Sequence, residues 1–253
     1  MKKYVFIFLM LLTVFAVAPV FAQQASTTIP IPKIGINIGT SENPKDVSVT
    51  LQILLLMTVL SLAPSLLIMT TSYLRIIIVF HFLKSALGTQ TMPPSQLLAG
   101  IALFITFFVM APTWSKVNDV ALKPLMDGKI KLEEAYDKGV EPIRDFMFRN
   151  VRDEDLALFI NLANLKRPEN RNDLPTYIII PAFALSELRA GFIIGFFLFI
   201  PFLMIDMIVS SILMSMGMMM IPPMLISLPF KILLFVLVDG WNLIVGSVVR
   251  SFT

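Results

Sequence analysis

Two oppositely charged residues, Asp206 and Lys231, lie in otherwise apolar sequence, in "FIPFLMIDMIVSS" and "LISLPFKILLFVL". A charge within a membrane costs roughly 2.5–3.5 kcal/mol on insertion scales, so such residues usually pair or face water. A breaker from Gly217 to Pro223 separates them, 11 residues after Asp206 and 8 before Lys231. If the chain folds back there as two helices, the two arms differ in length by only ~4.5 Å. The spacing predicts an Asp206–Lys231 ion pair, which serves either as a proton or ion relay or as a structural link between packed helices.

Three further charged residues, Glu187, Arg189 and Asp239, lie in the same apolar part of the chain. Glu187 and Asp239 are alternative partners for Lys231. Glu187 and Arg189 are expected near the outer edge of their apolar segment, where ionisable residues are more often interfacial than catalytic. We therefore expect Glu187, Arg189 and Asp239 to make contacts between subunits.

Methionine is concentrated between the two charges, in "MSMGMMMIPPM", where it fills six of eleven positions. Its unbranched thioether side chain repacks easily and fills irregular gaps. A ring of such side chains around a pore would form a deformable seal, and hydrophobic constrictions also close by dewetting. Gly217 lets one side of the turn bend, while Pro222 and Pro223 stiffen the other. The alternative is ordinary apolar filling at a re-entrant turn.

The sequence contains no recognisable catalytic or metal-binding constellation. It has no cysteine and one histidine, His81, which excludes thiol catalysis, disulfides and multi-histidine metal sites. No serine–histidine–acid set and no glycine-rich phosphate loop can be assembled. No basic stripe accompanies the net charge of +3, so nucleic acid is not an expected partner. The sequence predicts a protein that is not an enzyme and needs no cofactor.

The composition is that of a membrane protein: 57% of the 253 residues are hydrophobic and 15% are charged, against about 45–50% and 25% in soluble domains. The charges are unevenly distributed, because 23 of the 37 lie between residues 115 and 175. We therefore expect an all-α, polytopic membrane protein with long, kinked helical hairpins and a small α-helical extracytoplasmic subdomain.

Five segments follow from this pattern. Residues 1–22 have the basic start and short apolar run of a signal peptide, and 23–48 form an extracytoplasmic tail. Residues 49–113 form a first hydrophobic hairpin, 114–176 a periplasmic polar helical subdomain, and 177–253 a second hairpin with the methionine loop. A cleaved leader places Arg75 at the inner end of the first apolar run, in agreement with the positive-inside tendency.

Two long stretches, 72–112 and 181–252, resemble the FliP family of export-gate membrane proteins of the bacterial flagellar type III secretion apparatus. The motifs "GMMMIPP", "LPFK" and "LFVLVDGW" follow one another here at the family's spacing. The resemblance implies that Met218, Met219 and Met220 match a methionine loop that closes the channel, and that Asp206 and Lys231 match its paired charges.

The same resemblance implies a homopentameric ring in the bacterial inner membrane, at the flagellar basal body. FliQ and FliR would complete a conical gate with it, and FlhB and FlhA would act alongside. The cargo would be unfolded flagellar proteins. The helices would pack partly against protein rather than lipid. The alternative function is a small ion or solute channel that uses the Asp206–Lys231 pair. An intramembrane protease would need a facing nucleophile and base, which the sequence does not offer.

Overall fold

The computed structural model describes residues 44–89, 92–165, 173–218 and 220–252, with side chains from residue 51 onward. The chain divides into two compact units, Met1–Gln52 and Ile53–Thr253. The contacts discussed below all belong to the second unit. The predicted signal peptide, and the predicted tail up to residue 43, lie outside the described residues, as does Met219.

The described residues are almost entirely helical and contain no strand. In chain order the helices are α1 (Pro44–Thr70), α2 (Tyr73–Leu87), α3 (Ser95–Val117), a π-helical stretch (Asn118–Leu122), α4 (Lys123–Met126), α5 (Leu132–Asn150), α6 (Asp153–Leu162), α7 (Thr176–Ser215), α8 (Pro223–Leu237) and α9 (Gly240–Arg250).

Three helical stretches are long and apolar enough to cross a membrane: Leu51–Thr70, Ser95–Met126 and Thr176–Ser215. The bent pair α8 and α9 would make a fourth span if the two helices cross together. The prediction of an all-α, polytopic membrane protein is confirmed.

Two helix breaks were not expected from the apolar pattern. Within the predicted first hairpin, 49–113, the first helix breaks after Thr70. There Thr70 and Thr71 hydroxyls donate to carbonyls four residues back, at 2.9 and 2.8 Å, a pattern that often bends helices. The second break is at Asp239, which has a left-handed φ of 49° and separates α8 from α9 at an angle of 64°.

Helix α3 also passes the expected end of the first hairpin. It continues through Pro112 and joins the π-helical stretch and α4 without a gap. Downstream, α5 and α6 lie within the segment 114–176, which the sequence pattern predicted to be helical. Their apolar faces share one core with α3 and α7, formed by Met110, Phe146, Met147, Leu156, Ile179 and Phe183.

Helix α2 lies at the centre of the other core, where Ile76, Val79, Phe80, Leu83 and Ala86 are completely buried. Its closest approach is to α7, which runs parallel to it. A Cβ added at Gly191 would lie 2.9 Å from Ile78, and one added at Gly195 would lie 2.5 Å from the Phe82 ring. These two glycines, one helical turn apart, permit the close packing that aligns α7 with α2.

Candidate functional site

The structure brings Asp206 of α7 and Lys231 of α8 into contact. Lys231 Nζ lies 2.6 Å from Asp206 Oδ2, and it also donates to the carbonyl oxygen of Ala86 at 3.1 Å. The hydroxyl of Ser227 donates to the other carboxylate oxygen, Asp206 Oδ1, at 2.6 Å. One ion pair therefore connects three helices, α2, α7 and α8.

The two partners differ in exposure. The side chain of Lys231 is 4% exposed, whereas that of Asp206 is 31% exposed. The ammonium group lies at the C-terminal end of α2, which finishes at Gly88 in the left-handed conformation with a φ of 72°. A cation there satisfies a free carbonyl and is favoured by the helix dipole. Lys231 therefore donates to a carboxylate and to a carbonyl oxygen. Asp206 accepts from an ammonium group and from a hydroxyl group.

The methionine turn, which we define as residues 216–222, follows the end of α7. The Gly217 N–H donates to the Met214 carbonyl at 3.0 Å, and the Met218 N–H donates to the Leu213 carbonyl at 3.0 Å. With Gly217 at a φ of 75°, these bonds form a Schellman motif, which ends the helix sharply. Pro223 begins α8, a position where its missing N–H costs nothing.

Among the described methionines of the turn, the side chains of Met216 and Met220 are largely exposed. Met220 is 97% exposed and Met216 is 64% exposed, while Met218 is partly buried. Large apolar side chains at such exposure usually mark a contact with lipid or protein. The start of the turn is thus fixed by two backbone hydrogen bonds, and the turn presents flexible apolar side chains at Met216 and Met220.

Glu187 lies inside the chain. Its carboxylate is completely buried, and it accepts from Arg75 Nε at 2.9 Å and also from Arg75 Nη2. Arg75 Nη1 donates to the carbonyl and hydroxyl oxygens of Ser251, both at 2.8 Å. Arg75 was expected at the inner end of the first apolar run, and Glu187 near the outer edge of its own apolar segment. Because the two side chains touch, that placement at opposite membrane faces is wrong.

The other two expected contact residues are differently placed. Arg189 is 45% exposed and donates to Asp155 of α6 at 3.0 Å. Asp239 is exposed at the bend between α8 and α9. Neither Glu187 nor Asp239 is the partner of Lys231, and the role of Glu187, Arg189 and Asp239 between subunits stays a prediction.

Comparison with known proteins places these features in a family. A sequence model of the FliP family matches residues 56–248. The chain belongs to the FliP family. Its relatives include proteins named flagellar biosynthetic protein FliP. That of Bacillus subtilis (strain 168) is 59% identical over 86% of this chain and 98% of the relative. That of Caulobacter vibrioides is 50% identical over 87% and 82%, and that of Treponema pallidum is 46% identical over 88% and 83%.

The FliP-family match includes the ion pair and the methionine turn. The resemblance inferred from the sequence motifs is thereby confirmed. Across the described ranges, no group of three or more His, Asp or Glu side chains is arranged to bind a metal ion. The chemistry available at the site is therefore hydrogen bonding, ion pairing and apolar contact.

Sequence reasoning missed the additional members of the Asp206–Lys231 site. Ser227 lies four residues before Lys231, a spacing that puts the two side chains on one face of α8, and this signal was available. The Ala86 carbonyl carried no signal, because its part in the site depends on how α2 ends against α8.

Proposed function

We propose that this chain is a channel-forming subunit of the flagellar type III protein export gate, passing unfolded flagellar proteins across the bacterial inner membrane. The flagellar export role is supported by family membership. The channel role is supported chiefly by one observation, the methionine turn at the end of a 40-residue helix, which carries Met220 at 97% exposure. The thioethers of Met218, Met219 and Met220 would close an aperture shared among copies.

The proposed assembly is a homopentameric ring with FliQ and FliR, acting alongside FlhB and FlhA, with the polar block facing the periplasm. The apolar surface of the chain supports assembly or lipid contact. Along α1, large side chains are exposed at 40–66% on all sides of the helix. A helix that is apolar all round must be covered by lipid or by protein.

The competing function, a small ion or solute channel with a charged relay, has less support. A relay needs a group free to exchange its partner, whereas both oxygens of Asp206 accept hydrogen bonds and Lys231 bonds two acceptors. The arrangement fits a structural link that fixes α8 against α2 and α7. The seal, rather than the pair, is then the moving part.

We expect replacement of Met218, Met219 and Met220 together by glycine to make the inner membrane leaky to small solutes. Glycine removes the apolar plug and leaves the Schellman end of α7 in place. Uptake of a normally excluded dye or ion by cells would report the leak, and the recovery of the intact complex would show assembly. Replacement of all three by leucine, which keeps the apolar bulk, should leak far less. Unchanged permeability in an assembled glycine variant would contradict the seal.

A further inference from the structure

Ser227 occupies an unusual position for a small polar residue on an apolar helix. It is completely buried, and its hydroxyl lies 2.6 Å from Asp206 Oδ1 and 3.3 Å from the Met224 carbonyl oxygen. A hydroxyl has one proton to donate, and the shorter contact, to a carboxylate, is the stronger hydrogen bond. The proton of Ser227 is therefore directed at Asp206 rather than at its own helix.

This bond fixes which carboxylate oxygen meets Lys231. With Oδ1 held by Ser227, Asp206 presents Oδ2 to Lys231 Nζ at 2.6 Å. Without the hydroxyl, the carboxylate can rotate about its terminal bond, because such sp³–sp² torsions have broad minima. At 31% exposure the freed oxygen can also turn towards the surface, which weakens the contact with Lys231.

Helix α8 connects the Asp206–Lys231 pair to the methionine turn. Ser227 and Lys231 lie on its second and third turns, and Met224 on the first has its Cγ 3.7 Å from the position of a Cβ built on Gly88. The first three turns of α8 are thus held against the end of α2. The methionine turn ends directly before Pro223, which lies about 12 Å along α8 from Lys231.

We propose that Ser227 is a positioning residue for the Asp206–Lys231 pair and, through it, for the methionine turn. Ser227 orients the carboxylate, the carboxylate places the ammonium group at the Ala86 carbonyl, and this contact locks the start of α8 onto the end of α2. The inference rests on the proposed function only in its last step, the use of the turn as a channel seal.

The test uses thiol labelling in membranes that contain the full chain with its co-expressed export apparatus. Because the chain has no cysteine, Ala86→Cys supplies a single thiol at a side chain that is completely buried. Its reaction rate with a maleimide reports how often the packing around the C-terminal end of α2, where Lys231 bonds the Ala86 carbonyl, opens. We expect Ser227→Ala to raise that rate about three- to eighteenfold, which spans the average and the largest effect measured for hydrogen bonds between membrane helices. Thr106→Val, which removes a buried hydroxyl bonded within its own helix, should leave the rate within about twofold, since no contact between helices is lost.

A double-mutant cycle separates positioning from packing. In an Asp206→Ala background, Ser227→Ala should add less than about twofold, because the acceptor that it orients is already gone. A full additional effect would show that Ser227 only fills space, and an effect of Ser227→Ala no larger than that of Thr106→Val would overturn the proposal.

If Ser227→Ala does not accumulate, protein level becomes the readout. The double variant should then match Asp206→Ala alone, and a lower level would contradict the proposal. A changed labelling rate with unchanged solute permeability would instead count against the seal and leave the positioning role intact.

Discussion

Replacing Asp206 with alanine is expected to destabilise the assembled chain by about 3–5 kcal/mol, the usual cost of leaving one member of a buried pair without its partner. The effect should exceed that of Lys231→Ala. Lys231 is the more deeply buried of the two, at 4% against 31% exposure of the side chains. Without Asp206, its charge keeps only the Ala86 carbonyl, whereas Asp206 without Lys231 still has Ser227 and access to solvent. The measurement is the amount of complex that survives extraction and heating.

Two variants make this prediction specific. Asp206→Ala combined with Lys231→Met removes both charges and keeps apolar bulk, so it should recover much of the complex lost in Asp206→Ala. An exchange of the two charges should recover less, because it would place a carboxylate against the Ala86 carbonyl at the negative end of α2.

Asp119→Ala is a matched control. Its pair with Lys123 is exposed at 56% and 62%, and such pairs contribute about 0–1 kcal/mol. If Asp206→Ala is as harmless as Asp119→Ala, the pair does not hold these helices together.

Replacing Gly195 with leucine is expected to prevent α7 from packing against α2. Even a Cβ at this position would lie 2.5 Å from two atoms of the Phe82 ring and 2.9 Å from its Cβ, closer than any side chain can approach. Overpacking of this kind costs about 1–3 kcal/mol and occasionally more. Because α7 carries both Glu187 and Asp206, the shift would also disturb their contacts. Complex recovery and export of flagellar protein, seen as swimming motility, should both fall sharply.

Gly100 provides the control for this substitution. It lies in α3, and beyond the adjacent residues and backbone of its own helix, no described atom lies within 4 Å of a Cβ built on it. Gly100→Ala should therefore be neutral or stabilising by about 0.5–1 kcal/mol, the ordinary helix-propensity gain. Phe82→Ala should partly rescue Gly195→Leu by making room for it. A Gly195→Leu variant that behaves like the Gly100 variant would show that α7 does not pack against α2 in the assembled protein.

The sequence was most informative where one short stretch contained all the residues that determine a contact. The breaker at Gly217 and the two nearly equal arms placed Asp206 opposite Lys231, which is where the structure has them. The all-α membrane class followed from composition, and the family followed from motifs. These inferences need no knowledge of how distant helices pack.

Features that depend on distant contacts were misplaced or missed. Glu187 was expected at the edge of its apolar segment. Its partner, Arg75, lies 112 residues away, and the sequence near either residue gives no indication that the two pair. Hydropathy also gave no sign of the bend at Asp239, because the apolar run continues on both sides. The extension of α3 beyond Pro112 was hidden for the opposite reason, since the sequence becomes polar while the helix continues.

Cysteine cross-linking between copies tests the central claim most directly, because the chain has no cysteine of its own. Met220→Cys places one thiol on the methionine turn, and Met126→Cys places one at a comparably exposed methionine at the end of α4, at 97% and 85% exposure respectively. The proposed shared aperture brings the turns of neighbouring copies together. We expect rapid cross-linking between copies through Met220→Cys in the assembled complex, and none through Met126→Cys. Efficient assembly with no cross-link at Met220→Cys would place the turn away from any shared channel and contradict the proposed seal.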